Sequence, residues 1–362
     1  MMNVKAPSNQ HPARGFTSDN IAGISPEMME AIVRCNAGQA APYGNDEVTQ
    51  RLEVRMSNIF EKDVKVFLVS TGSAANALCL ATMTPPWGSV LSHADAHINR
   101  DECGAPEFFC DGAKLVQLGG ENAKIDLAAL QAQSKRMVGD VHSVQPSCVS
   151  ITQATEVGSV YSLDEIEAIG AVCRDAGLGL HMDGARFANG LVTLGCSPAE
   201  MTWKRGVDAL SFGATKNGTF GVDAIVLFNQ DLAQPLAFRR KRAGQLGSKM
   251  RFFSAQMEAY LADDLWLSNA RHANAMAKAL AAGLASISGA KVDRDPEANI
   301  LFCKLADHLI NGLLSAGFRF YHDRWEAGTV RFVTSFATTQ ADVDDLLAAA
   351  NDLAQLAVRR SS

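Results

Sequence analysis

The sequence predicts an α/β fold: a mostly parallel central sheet covered by helices, followed by a smaller C-terminal α+β domain. Three observations carry this. Short apolar runs alternate with longer amphipathic ones from about residue 64 to 228. The short runs are rich in β-branched residues and apolar on both faces, as strands are when helices cover both sides of a parallel sheet. From about Arg251 the alternation gives way to a long Ala-rich helical stretch, then to short strands and helices in turn.

Taken in order, residues 1–17 are polar and lack the apolar core of a signal peptide, so they are expected to form a disordered or loosely docked arm. Residues 64–70 read as a strand and 74–83 as a helix. Short strands are expected at 90–91 and 114–118, and a helix at 126–138. The strand 147–151, the helix 163–176 and the strand 178–182 complete another β-α-β step. Two further strands fall at 207–212 and 224–228. A helical stretch at 251–286 should break near Gly283. It is followed by strand 299–305, helix 308–316, strand 329–335 and helix 341–358. The expected division is an arm of 1–17, a large domain of 18–250 and a small domain of 251–362.

Bulk properties exclude several classes. The chain has 362 residues, 47% hydrophobic and 20% charged, with a net charge of −6. That balance gives no electrostatic footprint for nucleic acid. No apolar run approaches the roughly 20 residues of a membrane span. The eight cysteines include no Cys-x-x-Cys pair, which, without an export signal, points to reduced thiols in the cytoplasm.

Ligands bind such sheets beyond the carboxyl ends of the strands, and several reactive residues fall there. Lys216 follows the run Asp208-Ala-Leu-Ser-Phe-Gly-Ala-Thr and precedes the turn signal Asn217-Gly218. Asp183 and Arg186 lie just past the apolar segment of Gly179-Leu-His-Met-Asp-Gly-Ala-Arg186. A lysine in a loop is ordinarily a surface residue, and an Asp ending a strand ordinarily caps the next helix. Together they suit pyridoxal 5'-phosphate. The lysine forms a Schiff base with the aldehyde, and the carboxylate holds the ring nitrogen protonated so that the ring is an electron sink. Arg186 could contact the phenolic oxygen or simply pair with Asp183. Thr71-Gly72-Ser73 joins a strand to a helix, where glycine admits close approach and exposed amides attract phosphate; ordinary capping by Ser73 is the plainer reading.

His93 and His97 stand four apart and could ligate a metal if helical. No glutamate follows His93, so an imidazole of His97 stacked on the cofactor ring is preferred, with no metal. His142 precedes the strand 147–151 and is either a surface residue or a group that binds or deprotonates a substrate hydroxyl. Arg331 lies in the apolar strand Val330-Arg-Phe-Val, where it needs a structural acid or a substrate carboxylate. The run Arg239-Arg-Lys-Arg242 reads as a solvated helix face, or as a phosphate contact across a subunit interface.

Taken together these residues resemble the low-specificity L-threonine aldolase family of aspartate-aminotransferase-like, type I pyridoxal phosphate enzymes. The likeness rests on Phe16-Thr-Ser-Asp-Asn20, Pro42-Tyr-Gly-Asn-Asp46, Thr71-Gly-Ser, His97 with Glu102, His181-Met-Asp-Gly-Ala-Arg186, Lys216 and Arg331-Phe-Val-Thr-Ser335. Ser211-Phe-Gly-Ala-Thr-Lys-Asn-Gly218 is similar to the bacterial branch that includes phenylserine aldolase.

The resemblance implies Lys216 as the Schiff-base lysine, Asp183 as the pyridinium partner and His97 as the stacking base. Thr71, Gly72 and Ser73 would take the phosphate, with Arg186 near the ring. Ser18 and Arg331 would take the substrate carboxylate, Tyr43 would lie on the substrate side, and His142 would lie near the β-hydroxyl. The implied partner is an amino acid, and the implied assembly is a homotetramer of dimers with active sites at the dimer interface. One departure is Ser150-Ile-Thr-Gln-Ala-Thr-Glu156, where many members have Glu-Asn. The implied reaction is retro-aldol cleavage of L-threonine, L-allo-threonine or a related β-hydroxy-α-amino acid such as phenylserine to glycine and an aldehyde. The rivals are β-elimination, racemisation or transamination on the same cofactor, and a catalytically silent cofactor-binding protein.

Overall fold

The computed structural model describes residues 14–361. They divide into two compact units, one of Gly23–Arg271 and one of the stretch up to Ala22 with the stretch from His272 onward. In chain order the strands are β1 (Arg14–Gly15), β2 (Lys65–Val69), β3 (Gly88–His93), β4 (Lys114–Leu118), β5 (Gln145–Thr152) and β6 (Gly179–Gly184). They continue with β7 (Ala209–Phe212), β8 (Asp223–Leu227), β9 (Ala290–Lys291), β10 (Ile300–Leu305), β11 (Phe318–Arg319) and β12 (Thr329–Val333).

The larger unit is built on a seven-stranded sheet in the order β2-β8-β7-β6-β5-β3-β4. Its neighbours are parallel except for β8, which runs antiparallel to both β2 and β7. The carboxyl ends of the parallel strands therefore share one edge with the start of β8. The central strands are buried on both faces, as their unbroken apolar runs require: every residue of β7 and β8 is buried. Phe60, Phe187, Phe212, Tyr260 and Trp266 pack as an aromatic cluster within this core.

Two helices not foreseen from the sequence, Pro26–Cys35 and Glu47–Ile59, also belong to this unit. Each has its start signal: Pro26 in the first turn, and Asp46, whose carboxylate accepts the Thr49 amide at 2.9 Å. The expected helix 126–138 ends at Ser134. The expected boundary at 250/251 is corrected to 271/272. The helix Arg251–Tyr260 buries Met257 and Tyr260 in the larger core, so it cannot start a separate domain. The break in the following helical stretch comes at Asp263 and Asp264, whose φ angles are 50° and 54°, rather than near Gly283. Gly283 remains inside the helix Leu265–Leu284.

The smaller unit pairs β12, β10 and β9 antiparallel. Of the expected arm 1–17, residues 1–13 lie outside the described residues. Arg14–Gly15 pairs with β11, and Phe16 is buried between main-chain bonds to Arg319 and Val333.

Gly213, just past β7, packs closely against the segment that follows β6. Its N–H donates to the Gly184 carbonyl at 3.0 Å, and a Cβ there would sit 2.4 Å from the Ala185 oxygen. The obstacle is backbone and cannot swing aside. Gly213→Ala should lower stability by about 1–3 kcal/mol, seen as a lower urea midpoint at unchanged m-value.

Candidate active site

Asp183 ends β6 in register with Thr152 of β5 and Ser211 of β7. Its residue is 2% exposed. One carboxylate oxygen accepts the Ala185 amide at 3.0 Å and the other accepts Asn76 Nδ2 at 3.0 Å. Both donors are neutral, and no lysine or arginine ion pair to Asp183 is present among the described residues. A buried carboxylate in that state calls for a cation. The protonated nitrogen of a pyridine ring supplies one, so the residues present fit pyridoxal phosphate.

Lys216 is half-buried in a short helical turn between β7 and β8, on the same sheet edge. The turn is braced from both sides. Asp223, at the start of β8, accepts the amides of Ala214 and Thr215 at 2.8 and 3.1 Å. Asn217 donates to the Tyr260 hydroxyl and the Trp266 carbonyl, each at 2.8 Å, and its own carbonyl accepts from Asn269 at 3.0 Å. The sequence offered no signal for Asp223 or for Asn217 beyond its place in a turn.

Thr71 follows β2 and caps the helix Gly72–Met83, its hydroxyl accepting the Ala74 amide at 3.1 Å. The cap is thus Thr71 rather than Ser73. The amides of Gly72 and Ser73 lie in the first turn, whose N–H groups have no acceptor within a helix, and the helix dipole adds positive potential. The residue before the cap is fixed as well: the Ser70 amide and hydroxyl both donate to Gln245 Oε1, at 2.9 and 2.8 Å.

His97 opens a short helix after β3. Its Nδ1 lies 2.8 Å from Glu102 Oε1, and that same oxygen accepts Asn76 Nδ2 at 2.8 Å. The Glu102 bond chiefly pulls His97 above the ordinary histidine range, against the opposing effect of burial. Burial in turn pushes Glu102 up, while the bonds from His97 and Asn76 draw it down. His93 stands apart on β3: one ring nitrogen faces the Gly120 carbonyl and the other accepts the Asp95 amide. Because the helix starts only at His97, His93 and His97 do not share a helical face.

Beneath Asp183 on the same strand, His181 is fully buried between two hydroxyls. Ser150 Oγ lies 2.9 Å from Nδ1 and Ser211 Oγ 2.9 Å from Nε2.

Arg186 is buried just past β6 in the larger unit. Tyr43 is half-exposed with φ of 61°, its ring under Lys241 Nζ at 5.0 Å. His142 is exposed in the turn before β5. That is the opposite end of β5 from Thr152, which pairs with Asp183. At a rise of about 3.3 Å per residue the length of the strand separates His142 from Asp183 within one chain. The basic run is not wholly a solvated face either: Arg240 lies over the Phe67 ring at 5.3 Å, and burial lowers it to about 10.

Ser18 and Arg331 belong to the smaller unit. Ser18 caps a turn by accepting the Asn20 amide. Asn299, which sequence reading missed, donates both to Asp19 at 3.0 Å and to the Thr334 carbonyl at 2.6 Å. That ties the Ser18 segment to the end of β12. The Arg331 guanidinium faces the rings of Tyr321 and Trp325 at 5.0 and 5.6 Å.

A lysine past β7, a buried carboxylate ending β6 and an amide-lined helix start after β2, on a sheet of this order, define the aspartate-aminotransferase-like, type I class. Comparison with known proteins narrows it. The model of the beta-eliminating lyase family matches residues 15–307. The chain is 44% identical over 333 residues to a low specificity L-threonine aldolase of a Pseudomonas species, covering 92% of this chain and 96% of that one. A solved threonine aldolase of Leishmania major superposes with a TM-score of 0.87 at 29% identity, covering 94% of this chain and 99% of that one. A structure of SPT with PLP superposes with a TM-score of 0.69 over 94% of this chain and 87% of that one; at 14% identity that likeness is of fold alone. The chain belongs to the beta-eliminating lyase family.

Burial pushes His181 from 6.5 down to about 4. Below pH 6.5 the unfolded chain therefore takes up a proton that the folded chain refuses. Stability should fall as pH drops from about 6.5 towards 4, by roughly 3 kcal/mol from this residue. Urea midpoints across that range should fall less steeply in His181→Gln than in the unaltered protein.

Proposed function

We propose that the protein is a pyridoxal 5'-phosphate-dependent low-specificity L-threonine aldolase, cleaving L-threonine, L-allo-threonine and related β-hydroxy-α-amino acids, phenylserine among them, to glycine and an aldehyde. The observation that carries the reading is the buried Asp183 carboxylate, bonded only by neutral amides, on the sheet edge that also bears Lys216. The 44% identity to a low specificity L-threonine aldolase over almost the whole chain supports the choice of reaction.

Pyridoxal phosphate supplies an aldehyde that a lysine can engage and a ring that takes up the electrons of the breaking Cα–Cβ bond. Lys216 presents the amine, on a turn held by Asp223 and Asn217. Asp183 keeps a proton at the ring nitrogen. The amides of Gly72 and Ser73 and the hydroxyl of Thr71 receive the phosphate, and Arg186 lies near the ring. Arg331 and Ser18 would take the substrate carboxylate, and a substrate held in one orientation reacts faster. Glu102 draws His97 towards its protonated form, which suits ring stacking and charge support better than base catalysis. The β-hydroxyl proton therefore goes to a bound water, or to the His142 of a second copy in a homotetramer whose sites lie at the dimer interface. Tyr43 faces the substrate side in the same assembly. The eight cysteines are free thiols, in keeping with a cytoplasmic enzyme. No helix among the described residues is long and apolar enough to cross a membrane.

Protein supplied with pyridoxal phosphate should release acetaldehyde from L-threonine and L-allo-threonine and benzaldehyde from L-phenylserine. Lys216→Ala should abolish both the release and the visible band of bound cofactor; a normal band in that variant sinks the lysine assignment. Ammonia, keto acid or D-amino acid in place of aldehyde moves the reaction to β-elimination, transamination or racemisation. A band without any turnover makes the protein a silent binder. Arg331→Ala should raise KM for the amino acid with cofactor retained, whereas loss of cofactor would make Arg331 structural.

A further inference from the structure

The helix Gly72–Met83 brings a neutral amide between two acids. Asn76 Nδ2 donates to Glu102 Oε1 at 2.8 Å and to Asp183 Oδ2 at 3.0 Å. Asn76, Glu102 and Asp183 are 2%, 5% and 2% exposed. Glu102 Oε1 also faces His97 Nδ1 at 2.8 Å. Asn76 Oδ1 and Glu102 Oε2 are buried with no partner among the described residues. The amide has two N–H donors and uses one for each carboxylate. An apolar side chain here would leave two buried carboxylates with nothing between them, and one would be driven to take up a proton.

We infer that Asn76 is a positioning residue which joins Glu102 to Asp183 through a single amide group and thereby keeps Glu102 ionised as the partner of His97. The two ends of this line are the groups assigned above to the cofactor ring, Asp183 at its nitrogen and His97 on its face, so the inference rests on that reading. Its core, the dependence of His97 on Asn76 through Glu102, concerns the chain's own residues. The charged or titratable groups that bear on His97 are Glu102, Asp183 and Glu156. His97 and Asp183 bear on Glu102. Asp183 in turn faces His181 and Cys79, whose neutral forms burial favours.

The test follows the His97 ring signal by NMR in the histidine-labelled protein, with and without added pyridoxal phosphate, the signal being assigned by its loss in His97→Gln. Asn76→Leu, branched alike but without donors, should lower the His97 midpoint by about one pH unit, a tenfold loss of proton affinity. Asn76→Ala should do the same, and serves if the leucine variant does not fold. In a Glu102→Gln background Asn76→Leu should add nothing, because its effect runs through Glu102. An unchanged His97 midpoint in the Asn76 variants overturns the inference, and so does an equal drop in the Glu102→Gln background. Absence of a visible band with pyridoxal phosphate would count against the cofactor reading alone, since the titration without cofactor still decides the coupling.

Discussion

A carboxylate taken out of water without a cation is one of the costlier things a fold can hold. Among the described residues, the Asp183 carboxylate is bonded by the Ala185 amide and Asn76 alone. The surrounding architecture is arranged around it. It sits at the end of a central strand, where neighbouring strands exclude solvent on both sides. Directly beneath it, His181 is pinned neutral between Ser150 and Ser211 and supplies no compensating charge. A site built this way gains most from a ligand that brings its own positive charge to the carboxylate.

The second constraint is rigidity. Reactive side chains on loops work only when the scaffold fixes them. The Lys216 turn is held by Asp223 from β8 and by Asn217 reaching Tyr260 and Trp266. The antiparallel strand β8 matters here, because its reversed direction puts Asp223 at the edge where β7 ends. In a wholly parallel sheet that carboxylate would lie at the far side. Gln245 does for the residue before Thr71 what Asp223 does for the lysine turn.

The smaller unit solves a different problem, that of an arginine within an apolar strand. The Arg331 guanidinium is received by the faces of Tyr321 and Trp325. Such contacts are worth about 0.5–2 kcal/mol and orient the planar group. Asn299 sets the Ser18 segment by holding Asp19 and the Thr334 carbonyl together. Asn299, Tyr321 and Trp325, all uncharged, thus hold the segments that carry Ser18 and Arg331.

Much of the larger unit was legible in the sequence, because a strand buried on both faces is a local signal. The helix Leu163–Ala176 and the strand Lys114–Leu118 fall where the periodicity puts them. Lys216, Asp183 and Thr71 were legible because each follows an apolar run at a point where such sheets bind ligands. The helices Pro26–Cys35 and Glu47–Ile59 were not, since each buries only two residues and so carries a thin apolar stripe. The unit boundary at 271/272 was decided by aromatic packing of Tyr260 and Trp266, which composition does not record. Asn76 lies 107 residues from Asp183 along the chain, and Asn299 lies 280 from Asp19. Single polar residues have no periodicity, and a hydrogen bond acts over about 3 Å. The sequence alone therefore determined that Lys216, Asp183 and Thr71 follow apolar strands, while the partners that hold them in place exist only once distant strand and helix ends have been brought to one edge.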